Sequence, residues 1–282
     1  MNPILLAVIV VSAIGLVLGL ALAIASIVMA VPVDEKAVAI EEVLAGANCG
    51  ACGYSGCAGY ASALSKGECT DCGLCSPGGA DAAAEIASIL GVEAGSSVPM
   101  TAVVRCHGHL ENSGLFMDYS GVKSCKAANQ LYAGGKDCSY GCLGFGDCVR
   151  ACPFDAIHIN DAGIAEVDDL KCKACKICVN TCPKGIIDLA PLYKEQAVVF
   201  CSNKDKGAVA RKACKVACIG CMKCQKTCEH DAIHVKDFKA TVDPEKCIGC
   251  GACVEGCPTK CLEMTTFGQV IYVDAPAEAE AE

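Results

Sequence analysis

The sequence predicts an α+β protein in which one amino-terminal transmembrane helix precedes a small helical domain and two tandem modules of the same design. Three observations carry this prediction: an uncharged apolar amino-terminal run, 27 cysteines among 282 residues, and a stretch beginning at Ala102 that is repeated from Ala197. The predicted parts are a membrane anchor (1–33), a helical domain (34–95), module 1 (96–190), module 2 (191–268) and a disordered acidic tail (269–282).

The cysteines of the second half follow one repeated spacing, C-x2-C-x2-C-x3-C. This spacing, followed by proline, is the bacterial ferredoxin signature for [4Fe–4S] clusters, and its fourth cysteine ligates the other cluster of a pair. Two runs are regular and are followed by proline, namely Cys172, Cys175, Cys178 and Cys182, and Cys247, Cys250, Cys253 and Cys257. The third run has Glu229 in place of the proline and consists of Cys218, Cys221, Cys224 and Cys228. The fourth run has a distorted spacing and consists of Cys138, Cys142, Cys148 and Cys152.

The exchange of fourth ligands predicts four cluster sites in the two ferredoxin modules. In module 1, Phe145 stands where Cys221 stands in module 2, so Cys138 is expected to replace the missing ligand. The expected ligand sets are Cys152, Cys172, Cys175 and Cys178; Cys138, Cys142, Cys148 and Cys182; Cys218, Cys221, Cys224 and Cys257; and Cys228, Cys247, Cys250 and Cys253.

The helical domain contains a further cluster motif. Cys49, Cys52 and Cys57 have the spacing C-x2-C-x4-C, with glycines that let the backbone wrap closely around a cluster. Cys75 is expected as the fourth ligand, although Cys69 and Cys72 lie just upstream and compete for that role. Helices are expected over 34–47 and over 80–90.

Seven cysteines remain outside these five sets. Cys106 and Cys201 occupy equivalent positions of the repeat, which is unusual for thiols without a role. A sixth cluster is therefore a further candidate, and the geometry of its site cannot be deduced from sequence. Its expected ligands are Cys106, Cys125, Cys201 and Cys214.

Composition weighs against other uses of the cysteines. Disulfide scaffolds are short, secreted chains, and zinc sites use separated cysteine pairs or include histidine. The predicted cofactors are thus [4Fe–4S] clusters, at least five and, with the further candidate, six. A net charge of −9 and a pI near 5.1 argue against a nucleic-acid partner.

Residues 1–33 carry no charged side chain, and the apolar run from Ile4 to Val31 is long enough to cross a membrane. A signal peptide is the alternative, but it would have a basic start and an apolar core of about 7–15 residues. We expect an uncleaved single-pass helix in the cell (inner) membrane. Because cluster thiols must stay reduced until loaded, the cluster domains are expected on the cytoplasmic side.

These motifs together are specific. One membrane helix, the C-G-x-C-G-Y-x-G-C motif from Cys49, the C-x-P-G-G motif at Cys75 and duplicated ferredoxin modules resemble the B subunit of the Rnf complex, over nearly the whole chain. The resemblance implies a subunit of a membrane-bound ferredoxin:NAD⁺ oxidoreductase that couples electron transfer to Na⁺ or H⁺ pumping. It implies reduced ferredoxin as donor and the other Rnf subunits as partners. A free-standing membrane-anchored polyferredoxin or redox sensor is the alternative.

Overall fold

A computed structural model of the chain describes residues 3–28, 34–93, 98–192 and 194–268. The predicted disordered tail, 269–282, lies outside the described residues, as do the last residues of the predicted anchor, 29–33.

The amino-terminal apolar run forms one helix, α1 (Pro3–Val28), of 26 residues. At about 1.5 Å per residue it is roughly 39 Å long, which exceeds the hydrocarbon thickness of a bilayer, about 30 Å. Its segment Ile9–Ser26 has no part buried against the rest of the chain. Among the described residues, this is the one helix long and apolar enough to cross a membrane.

Residues 34–93 form a three-helix domain of α2 (Glu35–Val43), α3 (Cys57–Ser65) and α4 (Gly79–Leu90). Each helix contributes one fully buried side chain to the core, namely Ile40, Tyr60 and Ile86. Helix α2 begins where the Asp34 carboxylate accepts two backbone N–H groups of its first turn, and it ends four residues earlier than the sequence predicts. The prediction of α4 differs from the structure only at its start.

The first unit, residues 98–192, contains four short strands and three five-residue helices. Its strands form two antiparallel pairs, β1 with β4 and β2 with β3. The elements in order are β1 (Met100–Val104), α5 (Cys125–Asn129), α6 (Asp147–Ala151), β2 (Ile157–Ile159), β3 (Ala165–Val167), α7 (Ile177–Thr181) and β4 (Ile187–Pro191).

The second unit, residues 194–268, has the same plan without a counterpart of the insertion that carries α5. Its antiparallel pairs are β5 with β8 and β6 with β7. The elements in order are β5 (Glu195–Val199), α8 (Gly207–Ala213), α9 (Lys223–Thr227), β6 (Ile233–Lys236), β7 (Lys239–Val242), α10 (Ala252–Glu255) and β8 (Leu262–Thr266).

The two units pack against each other through a small apolar core to which both contribute. Val103 and Ala190 of the first unit meet Val198 and Phe267 of the second, and all four are buried. The Asp169 carboxylate adds a polar link, since it accepts hydrogen bonds from the Thr101 hydroxyl and from the backbone N–H at residue 268. This contact brings the ends of β1 and β5, and the cysteines that follow them, to one region.

Candidate iron–sulfur sites

Four loops carry the cysteine runs, and their backbones have the same conformation. In each loop the middle position lies between two residues with positive φ, a conformation that costs an L-residue roughly 1–2 kcal/mol. Three of these residues are not glycine: Ala174 (φ 50°), Lys176 (φ 60°) and Met222 (φ 59°). Strained residues of this kind persist where the surrounding structure requires them, often at ligand sites. The middle position is cysteine in three loops and Phe145 in the fourth.

Three cavities collect the same cysteines that the exchange rule groups together. We call them site II, site V and site VI, and each is lined by two segments that are distant along the chain. The grouped cysteines are Cys152, Cys172, Cys175 and Cys178 at site II; Cys218, Cys221, Cys224 and Cys257, with Cys261 as a fifth lining cysteine, at site V; and Cys228, Cys247, Cys250 and Cys253 at site VI.

The electrostatics of the thiols reflect this crowding. Burial and, to a smaller extent, the neighbouring Cys172 and Cys175 thiolates raise the pKa of the Cys178 thiol to about 11. Burial likewise raises the pKa of the Cys224 thiol to about 11, with a contribution from Cys218. At site II the crowded thiols therefore lose their protons readily only when a cation or metal cluster compensates the charge; at site V, hydrogen bonds with Cys261 lower the pKa values of Cys218 and Cys257.

The fourth cavity of the two units, site III, differs from the sequence expectation. It is lined by Cys125, Cys142, Cys148 and Cys182, and Cys138 is not among its lining residues. Burial raises the pKa of the Cys148 thiol to about 12, and the nearest charges that add to it are the thiolates of Cys142, Cys125 and Cys182. The insertion of the first unit thus supplies, through Cys125, a thiol in place of the one that is missing at Phe145.

Hydrogen bonds from α6 hold the Cys125 segment in this position. The Asp147 carboxylate accepts from the Ser124 hydroxyl at 2.8 Å and from the backbone N–H of Lys126 at 2.9 Å. Arg150 pairs with Asp147 and donates to the backbone carbonyl of Phe145 at 2.9 Å. These contacts bracket Cys125 on both sides and fix it to the helix that carries Cys148.

Cys138 lies instead in a cavity between the two units, site IV. Its cysteines are Cys106 and Cys138 from the first unit and Cys201 and Cys214 from the second. The cavity linings therefore include Cys125 where the sequence predicts Cys138, and Cys138 where it predicts Cys125. The physical reason is the course of the insertion, which carries Cys125 away from site IV and lets Cys138 approach it.

Site IV is built from buried groups that favour thiolate ligands. The backbone N–H and side-chain amide of Asn203 donate to Cys201 and Cys138, each at 3.5 Å. Lys136 is 6% exposed and donates to the Gly108 carbonyl at 3.0 Å. Burial raises the pKa of the Cys106 thiol to about 11, and the Lys136 ammonium acts in the opposite direction. A buried positive charge thus acts on two of the four thiols, Cys106 and Cys214.

Sites III, IV and V adjoin each other. The Cys106 sulfur of site IV accepts a hydrogen bond from the backbone N–H of Cys142, which belongs to site III, at 3.4 Å. The equivalent sulfur of Cys201 accepts from the backbone N–H of Cys218, which belongs to site V, at 3.2 Å. Site IV therefore adjoins one cysteine site of each unit, site III in the first and site V in the second.

The cysteines of the three-helix domain form a further group, site I, defined as Cys49, Cys52, Cys57 and Cys75. Burial raises the pKa of the Cys75 thiol, and the Cys57 and Cys49 thiolates add to this effect. Cys72 is buried in the helical core, and among the thiols only Cys69 influences its pKa, which burial raises. This arrangement associates Cys75 with the amino-terminal motif, and its role as the fourth ligand stays a prediction.

Cys261, for which the sequence predicts no role, occupies a core position of the second unit. Its backbone carbonyl accepts from the N–H of Phe200 at 2.8 Å, and in the first unit Ile186 accepts from Arg105 in the same way at 2.7 Å. Both side chains are at most 2% exposed. Cys261 is thus the counterpart of a buried isoleucine, and it also lies 3.7 Å, sulfur to sulfur, from Cys257.

The donor sets fit a cluster better than a single ion. Within the part of the chain that the structure describes, no three His, Cys, Asp or Glu side chains converge on one ion-sized point. Zinc would need such convergence, because its thiolate sulfurs lie about 2.3 Å from the ion. The cysteines instead surround cavities of about 280 to 350 Å³, counting space open to solvent. Backbone N–H groups point at several sulfurs, for example from Ala102 to Cys172 at 3.4 Å, as iron–sulfur ligands require.

A sequence signal for Cys125 did exist. The unit that lacks the middle cysteine, at Phe145, is also the unit that carries an additional cysteine in an insertion. Taken together, the loss and the gain indicate that the inserted thiol replaces the missing one. Distance along the chain favoured Cys138 instead, and only the fold brings Cys125 close.

The fold and the cysteine sites define an iron–sulfur protein. Residues 211–264 match a family described as "4Fe-4S dicluster domain", and residues 44–77 match one described as "Putative Fe-S cluster". The first match covers most of the second unit, and the second covers the cysteines of site I.

Similarity to known proteins extends over almost the whole chain. The chain is 42% identical to the B subunit of the Na⁺-translocating ferredoxin:NAD⁺ oxidoreductase complex of Acetobacterium woodii, over 93% of this chain and 78% of the relative. It is 38% identical to the B subunit of the ion-translocating oxidoreductase complex of Methanosarcina acetivorans, over 90% and 96%. It is also 38% identical to the B subunit of the proton-translocating ferredoxin:NAD⁺ oxidoreductase complex of Clostridium ljungdahlii, over 100% and 99%. The chain belongs to this family of B subunits.

Proposed function

We propose that this chain is the electron-relay subunit of a membrane-bound ferredoxin:NAD⁺ oxidoreductase whose reaction is coupled to Na⁺ or H⁺ translocation. Its relatives carry names of that activity. The observation that carries the proposal is the continuous series of cysteine sites, in which sites III, IV and V share walls. In this role the chain accepts electrons from reduced ferredoxin and passes them to other subunits of the complex.

We infer that six [4Fe–4S] clusters occupy sites I to VI, each bound by four cysteines. The clusters supply one-electron chemistry, and the protein supplies the ligands, their hydrogen bonds and their order in space. The proposed sets keep the sequence prediction at sites I, II, V and VI. They exchange Cys125 for Cys138 at site III and Cys138 for Cys125 at site IV, on the support of the residues that line the two cavities.

The order of the sites supports a linear relay through tandem two-cluster ferredoxin modules. Helix α6 joins site III to site II, because Cys148 lies in it and Cys152 follows it. Helix α9 joins site V to site VI in the same way through Cys224 and Cys228. These helices have five residues, so neighbouring ligands are separated by only about 6 Å of helix. The proposed order is II, III, IV, V, VI.

Site I extends this series at the end next to site II. Burial raises the pKa of the Cys175 thiol, and the first thiolate to add to that effect is Cys49 of site I. Cys175 is buried, whereas its counterpart Cys250 in the second unit is exposed. Cys49 of site I therefore lies near Cys175, and we infer that the relay continues through site I toward the membrane helix.

The chain's own residues have two tasks in such a relay. Backbone N–H groups and Lys136 stabilise the negative charge that each reduction adds, and buried apolar side chains exclude water from the sites. Both effects influence reduction potentials. Among the residues that the structure describes, Lys136 is the buried cation that donates directly into the backbone of site IV.

We propose that α1 anchors the chain in the cell membrane as a single span, with residues after 34 on the cytoplasmic side. Support comes from its length, its uncharged surface and the thiols that follow it. The free-standing polyferredoxin or sensor remains the alternative. A sensor needs one cluster, so six aligned sites and membership of a family of complex subunits favour the relay.

Isolation of the complex from membranes tests the proposal. The chain should co-purify from gently solubilised membranes with other integral membrane subunits. The isolated complex should reduce NAD⁺ with electrons from reduced ferredoxin. A chain that purifies alone from such membranes, with its full iron content, would support the free-standing alternative instead.

A further inference from the structure

The two units expose their cluster loops to very different degrees. In the first unit the middle positions of both loops are covered: Phe145 packs edge-on against Tyr119 at 5.6 Å between ring centres, and Cys175 is buried. In the second unit Cys221 and Cys250, at the equivalent positions, are both exposed. An electron donor from solution can therefore contact a cluster ligand at the middle of the loop in sites V and VI, whereas the equivalent positions beside sites II and III offer no exposed thiol.

The surroundings of these two open edges carry opposite charge. Exposed carboxylates flank the loop of Cys250, namely Glu195, Glu245 and Glu255, with Lys246 as an exposed cation among them. The stretch around Cys221 is basic instead. The acid within 204–226 is Asp205, and Asp237, beside Phe238, is a further acid and is exposed; the exposed cations are Lys204, Lys206, Arg211, Lys212, Lys215, Lys223 and Lys226.

Three segments converge on the Cys221 loop and form one surface. The backbone of Gly207, the first residue of α8, approaches the loop so closely that a side-chain carbon at this position would lie 2.5 Å from the Ile219 carbonyl. Lys206, the preceding residue, therefore lies beside the loop. A carbon added at Gly220 would lie 2.9 Å from Phe238. Lys223 begins α9 directly after the loop. The surface thus has exposed apolar side chains, Met222 and Phe238, next to Cys221, with cations around them.

We propose that this surface, the Cys221 face, is the docking site for a small acidic one-electron carrier protein of the ferredoxin class. The proposal rests on the proposed relay function and adds where electrons enter. Charge complementarity would orient the carrier and raise the encounter rate, and the apolar centre would bring its cluster close to Cys221. Electrons enter at site V, next to site IV, and so reach the first unit without passing through site VI.

Charge reversal with a matched control tests this inference. The docking variant is Lys206→Glu with Lys223→Glu. The control is Lys36→Glu with Lys66→Glu, two exposed lysines of the three-helix domain that give the same change of net charge away from the Cys221 face. None of the four is a proposed ligand, and unchanged iron content would establish that the sites are intact.

The readout is the dissociation constant of the full-length protein in detergent for an oxidised, acidic two-cluster ferredoxin, measured at several salt concentrations. The docking variant should bind about tenfold more weakly at low salt and lose most of its salt dependence, while the control should differ about twofold or less. Equal binding by both variants would overturn the docking site and leave the relay function intact. If the unaltered protein shows no measurable binding to the ferredoxin at low salt, both the ferredoxin donor and the docking site are overturned.

Discussion

The backbone N–H of Cys218 donates a 3.2 Å hydrogen bond to the sulfur of Cys201. Through this contact the site between the units adjoins the nearest site of the second unit. The same relationship, between Cys142 and Cys106, exists on the side of the first unit. Site IV therefore connects the two halves of the duplication, and its ligand set is the first matter to test.

Double substitutions distinguish the proposed sets from those that the sequence predicts. If Cys125 and Cys142 bind the same cluster, Cys125→Ala with Cys142→Ala should lose about four irons per chain. Cys138→Ala with Cys142→Ala should lose about eight, because it disrupts two clusters. Iron analysis of anaerobically purified protein provides the measurement. The reverse pattern, with the larger loss for the Cys125 pair, would restore the sequence-based assignment.

The loop conformation around Phe145 provides a rescue experiment. Phe145 lies between two residues of positive φ, as Cys221 does in the second unit. A cysteine at this position should therefore reach site III in the ordinary ferredoxin manner. We expect Cys125→Ala to lose about four irons and Cys125→Ala with Phe145→Cys to regain them. If the second substitution restores no iron and no cluster absorbance, the loop geometry does not fit the ligand role.

Substitution of Lys136 should change a reduction potential and leave iron content unchanged. Lys136→Gln removes a buried positive charge beside site IV, so reduction there becomes less favourable. We expect one potential to fall by on the order of tens of millivolts. Lys66→Gln, an exposed residue at the end of α3, is the control and should shift no potential. A redox titration followed by EPR measures both, and identical titrations would show that Lys136 does not act on a cluster.

The amino-terminal site allows a comparison among three cysteines. Cys75→Ala should remove the cluster of site I, because Cys57 and Cys49 are its neighbouring thiols. Cys72→Ala and Cys69→Ala should keep it, with Cys72→Ala costing about 1–2 kcal/mol of stability through lost packing in the helical core. Iron content and thermal unfolding separate these effects. Loss of iron in the Cys72 variant alone would assign the fourth ligand to that residue.

The sequence predicts a site well when the cysteines of that site lie close together along the chain. Cys172, Cys175 and Cys178 share a cavity because a short loop of fixed spacing holds them, and the ferredoxin pattern also supplies Cys152. Site IV depends instead on packing between units and on the path of an insertion, neither of which leaves a local pattern. For the same reason the covered and exposed cluster loops could not be foreseen.

The proposed relay depends on how many clusters the chain holds, and metal analysis measures that number. Iron and zinc should be determined per chain in the full-length protein, purified without oxygen and fully loaded. Six sites predict about 24 irons and negligible zinc. About twenty irons would mean that one of the six sites holds no cluster, and the double substitutions would identify that site. Stoichiometric zinc, or about sixteen irons or fewer, would contradict the relay of [4Fe–4S] clusters.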